Sequence, residues 1–122
     1  MTMPSALPTV DVTEAERRLR EDPGAPLLID VREPHEFEEV RAPGAVLIPM
    51  SAFAARAAEL PKDRPLLMVC HLGGRSAAAA GFLLRGGWTD VHNVAGGMDG
   101  WERAGLPVRH GPPDPGEGDL PG

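Results

Sequence analysis

The chain has 122 residues, one cysteine and a formal net charge of −6. That is one domain's worth of chain, long enough to hide on the order of 65% of its unfolded surface without covalent staples. A single cysteine excludes an internal disulfide and fits a reducing compartment. The acidic balance argues against general affinity for nucleic acid or anionic membrane.

Residues 1–8 read as a loose leader with neither the basic start nor the apolar stretch of a signal peptide. No apolar run approaches the roughly 20 residues needed to span a bilayer, so a cytoplasmic protein is expected. Thr13-Glu14-Ala15-Glu16 has the spacing of a capping box and predicts a helix through Leu19 that stops before Pro23. Pro26 to Val31 is an apolar run expected to form a buried strand, and Pro34 to Val40 a short helix with proline in its first turn. Pro43-Gly44 marks a turn, Ala45 to Ile48 a second short strand, and Ser51 a cap for a helix over Ala52 to Leu60.

Leu66 to Val69 predicts another buried strand, followed by a loop from Cys70 to Arg75. Ser76 to Arg85 is rich in Ala and Leu and predicts a helix ended by Gly86-Gly87. Trp88 to Asn93 is expected to be a last strand and Met98 to Arg103 a last short helix. This alternation implies an α/β fold: a mostly parallel central sheet with helices on both faces. From residue 110 onward, Gly, Pro and acidic residues dominate. Residues 110–122 are therefore expected to form a disordered tail in which Asp114, Glu117 and Asp119 lack basic partners.

The chemistry is concentrated between Leu66 and Ser76. Cys70 stands where a buried strand ends and a helix is about to begin, the sheet edge at which α/β proteins bind ligands. Gly73 and Gly74 let the loop curl and turn its N–H groups inward, so that loop and helix N-terminus together form an anion cradle. The same field, with Arg75 beside it, favours thiolate over thiol and makes Cys70 a candidate nucleophile. A lone cysteine after an apolar strand is ordinarily a small buried hydrophobe. The two glycines, the arginine and the following helix weigh against that simpler role here. The loop has neither the Lys-Ser/Thr pair of a phosphate-binding loop nor a G-x-G-x-x-G pattern. Asp30 and Arg32 end a strand on the same sheet edge as Cys70 and are expected to have a structural hydrogen-bond role, since buried charged groups are normally paired. Glu36 is expected either to reach the rim of the site or to be an exposed helix carboxylate, and Trp101 to anchor the core or pack a helix. His35, His71, His92 and His110 have no metal-ligand spacing, so no metal is expected.

Several segments together resemble the rhodanese family. Cys70 to Ser76 matches C-x-x-G-x-R-S. Asp30-Val31-Arg32 with Glu36-Phe37 is similar to the family's D-V-R…E-[FY]. Pro43-Gly44-Ala45 through Ile48-Pro49 resembles P-G-A…I-P, and Gly96-Gly97 with Trp101 resembles G-G-x-x-x-W. The motifs keep the family's order and place a rhodanese-like domain over residues 9–109. The resemblance implies a sulfurtransferase. Cys70 would take a sulfane sulfur, typically from thiosulfate, and hold it as a persulfide for a cyanide, thiol or protein acceptor. His71, Leu72, Gly73, Gly74, Arg75 and Ser76 would surround the transferred sulfur, with Asp30, Arg32 and Glu36 in support. No cofactor is implied, and a monomer is expected. The chain departs from the family at Arg41-Ala42, where His-Ile is common, and at Leu47, where Asn is common. Both departures are expected to concern packing or a partner surface. Many thiosulfate-using members carry a basic residue after the cysteine; His71 stands there, charged only when protonated.

Two other functions share these features. A cysteine phosphatase or arsenate reductase uses a similar loop, but with C-x5-R. Here only His71, Leu72, Gly73 and Gly74 separate Cys70 from Arg75, a smaller cradle better matched to one sulfur atom. A non-catalytic sulfur carrier or protein-docking module would keep the fold without turnover.

Overall fold

The computed structural model describes residues 7–22 and 24–121. Five strands form one sheet in the order β1-β5-β4-β2-β3, with every pairing parallel. The strands are β1 (Thr9–Asp11), β2 (Leu27–Asp30), β3 (Val46–Leu47), β4 (Leu66–Val69) and β5 (Val91–Ala95). The helices are α1 (Val12–Glu21), α2 (Pro34–Glu39), α3 (Met50–Arg56), α4 (Gly74–Arg85) and α5 (Gly97–Arg103), with a 3-10 turn over Ala57–Glu59. Parallel strands need helical crossovers, which cover both faces of the sheet.

β2 and β4 are buried along their whole length and, apart from Asp30 at the end of β2, read as apolar runs. Their alternating side chains split the core. Leu27, Ile29, Leu66, Met68 and Cys70 pack with Phe53, Ala79, Ala80 and Leu83 of α3 and α4. Leu28, Leu67 and Val69 pack with Ala15, Phe37, Met98 and Trp101 of α1, α2 and α5. Trp101 is buried, with its indole N–H donating to the Pro107 carbonyl at 2.8 Å. It anchors the core as expected.

Local signals shift several elements. The cap of α1 is Asp11, whose carboxylate accepts the Glu14 N–H at 2.8 Å, not Thr13. Glu16 instead pairs with Arg20 one turn on. α3 begins at Met50 after Pro49, and Ser51 donates its hydroxyl to Glu33 across the loop instead of capping the helix. β5 starts three residues later than its expected Trp88, and the short β1 at one sheet edge was not anticipated. Its partner β5 supplies the sheet pairing that three residues cannot specify alone.

The two ends of the domain are more ordered than the composition implies. Leu7 is half-buried against the core, and the Pro8 carbonyl accepts the Asn93 N–H. The rest of the expected leader, residues 1–6, lies outside the described residues. Residues 111–121, expected to be a loose tail, fold back over the domain. The anchor is Arg41, which is 1% exposed. Its guanidinium donates to both Glu117 carboxylate oxygens at 2.6 and 3.0 Å and to the Gly111 carbonyl at 2.6 Å. It also lies 5.4 Å from the Phe37 ring centroid. Arg109 adds contacts to Asp114 and Glu117, so both acids have the basic partners that local sequence lacks. The Gly118 carbonyl accepts the N–H of Leu47 on edge strand β3, and Leu120 packs on the core. Arg41 and Leu47, the two departures from the family pattern, are thus the positions that seat this segment.

Candidate active site

The strand order places the ends of β2 and β4 side by side, and the site forms where they finish. Cys70 follows the central strand β4 and is 1% exposed. The chain then turns through Gly73, whose φ of +115° lies in the left-handed region that glycine tolerates. α4 begins at Gly74, two residues earlier than the expected Ser76, so Arg75 belongs to the first helical turn.

This turn aims donors at the sulfur. The Gly73 N–H donates to Cys70 Sγ at 3.0 Å and the Ser76 hydroxyl lies 3.3 Å away. Burial pushes the Cys70 thiol up. The Ser76 hydroxyl and the N–H groups of Ser76, Gly73 and Leu72 more than offset it, leaving the thiol below its usual range. Of the N–H groups expected over Leu72 to Ser76, those of Leu72, Gly73 and Ser76 act on the sulfur. His71 and Leu72 form the outer lip of this cradle. Leu72 is 66% exposed beside the buried sulfur, and His71 is exposed as well.

Arg75 donates its guanidinium to the two Glu36 oxygens at 2.7 and 2.9 Å, and its charge still acts on Cys70. Glu36 does reach the rim, as a partner for Arg75. That hydrogen bond is the main reason its carboxyl is lowered to about 2. Glu36 also accepts the Glu33 N–H, which closes the capping box of α2. Asp30 and Arg32 form a buried ion pair at 2.8 Å. Arg32 donates further to the carbonyls of Val40 and Glu36. These two side chains brace the β2–α2 corner and hold each other, the hydrogen-bonded role expected of them.

Two residues that sequence reasoning gave no role support the loop. Asn93 on β5 accepts the Ser76 hydroxyl at 2.6 Å through Oδ1 and donates to the Gly73 carbonyl at 3.2 Å through Nδ2. A polar side chain between the apolar Val91 and Val94 on the strand's buried positions is the signal that could have found it. Gly97 has φ +58°, and a Cβ there would overlap the carbonyl oxygens of Cys70 and His71. With no side chain in the way, the start of α5 closes on the loop. The Met98 N–H donates to Cys70 O at 2.8 Å and the Asp99 N–H to His71 O at 3.0 Å.

The family model described as Rhodanese-like domain matches residues 11–104. The chain belongs to the rhodanese-like family. It is 39% identical over 82 residues to a sulfurtransferase of Allochromatium vinosum, covering 67% of this chain and 77% of that protein. It is 35% identical over 82 residues to the thiosulfate sulfurtransferase GlpE of Actinobacillus succinogenes, covering 67% and 74%. The crystal structure of a rhodanese-related protein from Thermoplasma volcanium superposes with a TM-score of 0.74 at 30% identity, covering 84% of this chain and 97% of that one. The fold is the rhodanese fold, and the curated names of these relatives support an enzyme of the rhodanese-type sulfurtransferase class. Among the described residues no cluster of three or more His, Cys, Asp or Glu is gathered as a metal site. No helix among them is long and apolar enough to cross a membrane.

Proposed function

We propose that this protein moves a sulfane sulfur from a donor such as thiosulfate, through a persulfide on Cys70, to cyanide or a thiol. The observation that carries the reading is the Gly73 N–H donated to Cys70 Sγ at 3.0 Å, with the Ser76 hydroxyl oxygen 3.3 Å from the same sulfur. The GlpE relative, whose name gives thiosulfate as donor, supports the choice of substrate.

In the first step the Cys70 thiolate attacks the outer sulfur of thiosulfate. The Cys70–sulfur bond forms, the donor S–S bond breaks, and sulfite leaves with the electron pair. The persulfide Cys70–S–S⁻ keeps its negative charge within reach of the backbone N–H groups and the positive end of α4. In the second step cyanide attacks the outer sulfur, thiocyanate departs, and the Cys70 thiolate returns to the same cradle. Because Cys70 is the only cysteine, the sulfur passes to an acceptor outside the chain. The buried sulfur is approached past His71 and Leu72, where a small acceptor or the exposed thiol of a partner protein fits the need. The reaction takes place on one chain.

Covalent transfer in two halves predicts ping-pong kinetics. Initial rates with thiosulfate varied at several fixed cyanide concentrations should give parallel double-reciprocal lines. Intersecting lines would mean that both substrates bind before any sulfur moves, and would contradict the persulfide route.

A further inference from the structure

The loop from Cys70 to Ser76 contains a single arginine, and its charge is already matched. Arg75 spends two of its three guanidinium nitrogens on Glu36, at 2.7 and 2.9 Å. The pair sits at the rim, with side chains 38% and 24% exposed, so solvent does not separate it fully from the site. Deeper in the same corner, Arg32 is matched in turn by buried Asp30. The rim therefore presents one arginine–carboxylate pair to an incoming donor, where an unpaired arginine would attract a dianion. The carboxyl of Glu36 stays ionised down to about pH 2, held there first by Arg75, so the pairing persists at any working pH.

We propose that Glu36 sets donor selectivity: by holding Arg75 in a neutral pair it disfavours dianionic thiosulfate and favours donors of lower charge, namely persulfides R–S–SH. This inference rests on the sulfur-transfer reading above. With such a donor the Cys70 thiolate bonds to the outer sulfur and the donor S–S bond breaks. The inner sulfur leaves with the electron pair as a thiolate and takes up the proton, giving Cys70–S–S⁻ and R–SH. The products carry no charge that the loop does not already accommodate, and no sulfite dianion has to be released.

The test compares kcat/KM for thiosulfate and for cysteine persulfide in the parent and in Glu36→Gln. Glutamine retains the length of the side chain and an oxygen for the Glu33 N–H, which Glu36 accepts at 3.0 Å. Freeing Arg75 should raise the thiosulfate-to-persulfide ratio about fivefold, the scale of one partly exposed charge pair. The variant's thiosulfate rate should also fall with added salt, while the parent's changes little. An unchanged ratio, or equal slowing with both donors, overturns the assignment. The salt series on the parent stands apart from whether the variant folds: a steep fall in thiosulfate kcat/KM would mean that an unpaired cation already steers the donor, and also overturns it. Loading of Cys70 is followed by intact mass in the same samples. Loading by both donors with an unchanged ratio removes only the role of Glu36, whereas failure of both donors to load the parent removes the sulfur-transfer reading with it.

Discussion

The Ser76 hydroxyl lies 3.3 Å from the Cys70 sulfur, and Asn93 holds that hydroxyl from the other side at 2.6 Å. Ser76 therefore links the nucleophile to β5 as well as to its own helix. Replacing it with alanine removes the largest of the influences that lower the Cys70 thiol. The thiolate titration of Ser76→Ala, followed by ultraviolet absorbance against pH, should move upward. Persulfide loading should slow several-fold at neutral pH and recover as pH rises through the new value. A titration that stays in place would assign the activation of Cys70 to backbone N–H groups alone.

Gly97 predicts a second, structural route to inactivity. An alanine there must adopt φ +58° and meet the Cys70 and His71 carbonyls. Gly97→Ala should destabilise the fold by about 3 kcal/mol or more, because backbone strain and a close approach act together. Urea unfolding measures the loss, and loading of the surviving folded fraction should also be slowed. A variant of parental stability would mean that α5 and the loop can separate without cost.

The C-terminal segment is predicted to matter for stability. Truncation after His110 removes Glu117 and the Gly111 carbonyl from a guanidinium that is otherwise buried. It also removes the Gly118 carbonyl that accepts the Leu47 N–H at 2.8 Å. The melting temperature should fall by at least about 4 °C, the shift that roughly 1 kcal/mol produces in a domain of this size. Charged groups left in an apolar site usually cost more than the pair contributed. An unchanged melting temperature would mean that residues 111–121 rest on the domain without stabilising it.

The Arg75–Glu36 pair also predicts a pH window. The Glu36 carboxyl is lowered from 4.5 to about 2, chiefly by the Arg75 hydrogen bond. A depressed carboxyl contributes stability that is fully present above the unfolded value and lost as pH falls from 4.5 toward 2. Glu36→Gln should therefore show a shallower acid-induced loss of stability across that interval than the parent. Superimposable acid curves would show that the pair forms no more readily in the folded chain than in the unfolded one.

Much of this arrangement was legible because the signals are local. β4 and the loop after it were readable from Leu66 to Ser76, since an apolar run followed by glycines and an alanine-rich stretch determines its own structure. Asp30 and Arg32 were legible as hydrogen-bonded residues at the sheet edge, though not as each other's partners. The features that were not legible depend on contacts distant in sequence. Glu117 looks unpaired beside its neighbours and gains Arg41 only through the fold, 76 positions away. Arg75 reads as a free cation until α2 brings Glu36 against it, 39 positions away. Asn93 has no recognisable motif of its own, and its role appears only when β5 lies beside the cysteine loop. Gly97 is visible as half of a glycine pair, but the carbonyls it accommodates belong to the opposite end of the site.

The central claim is that the lone thiol of this chain carries the sulfur. Intact-protein mass before and after exposure to thiosulfate or cysteine persulfide tests it most directly. The parent should gain the mass of one sulfur atom, confined to the peptide containing Cys70, and lose it when cyanide is added. Cys70→Ser, folded by circular dichroism, should gain nothing. A parent that never gains sulfur from either donor, or a serine variant that gains it as readily, would contradict the account.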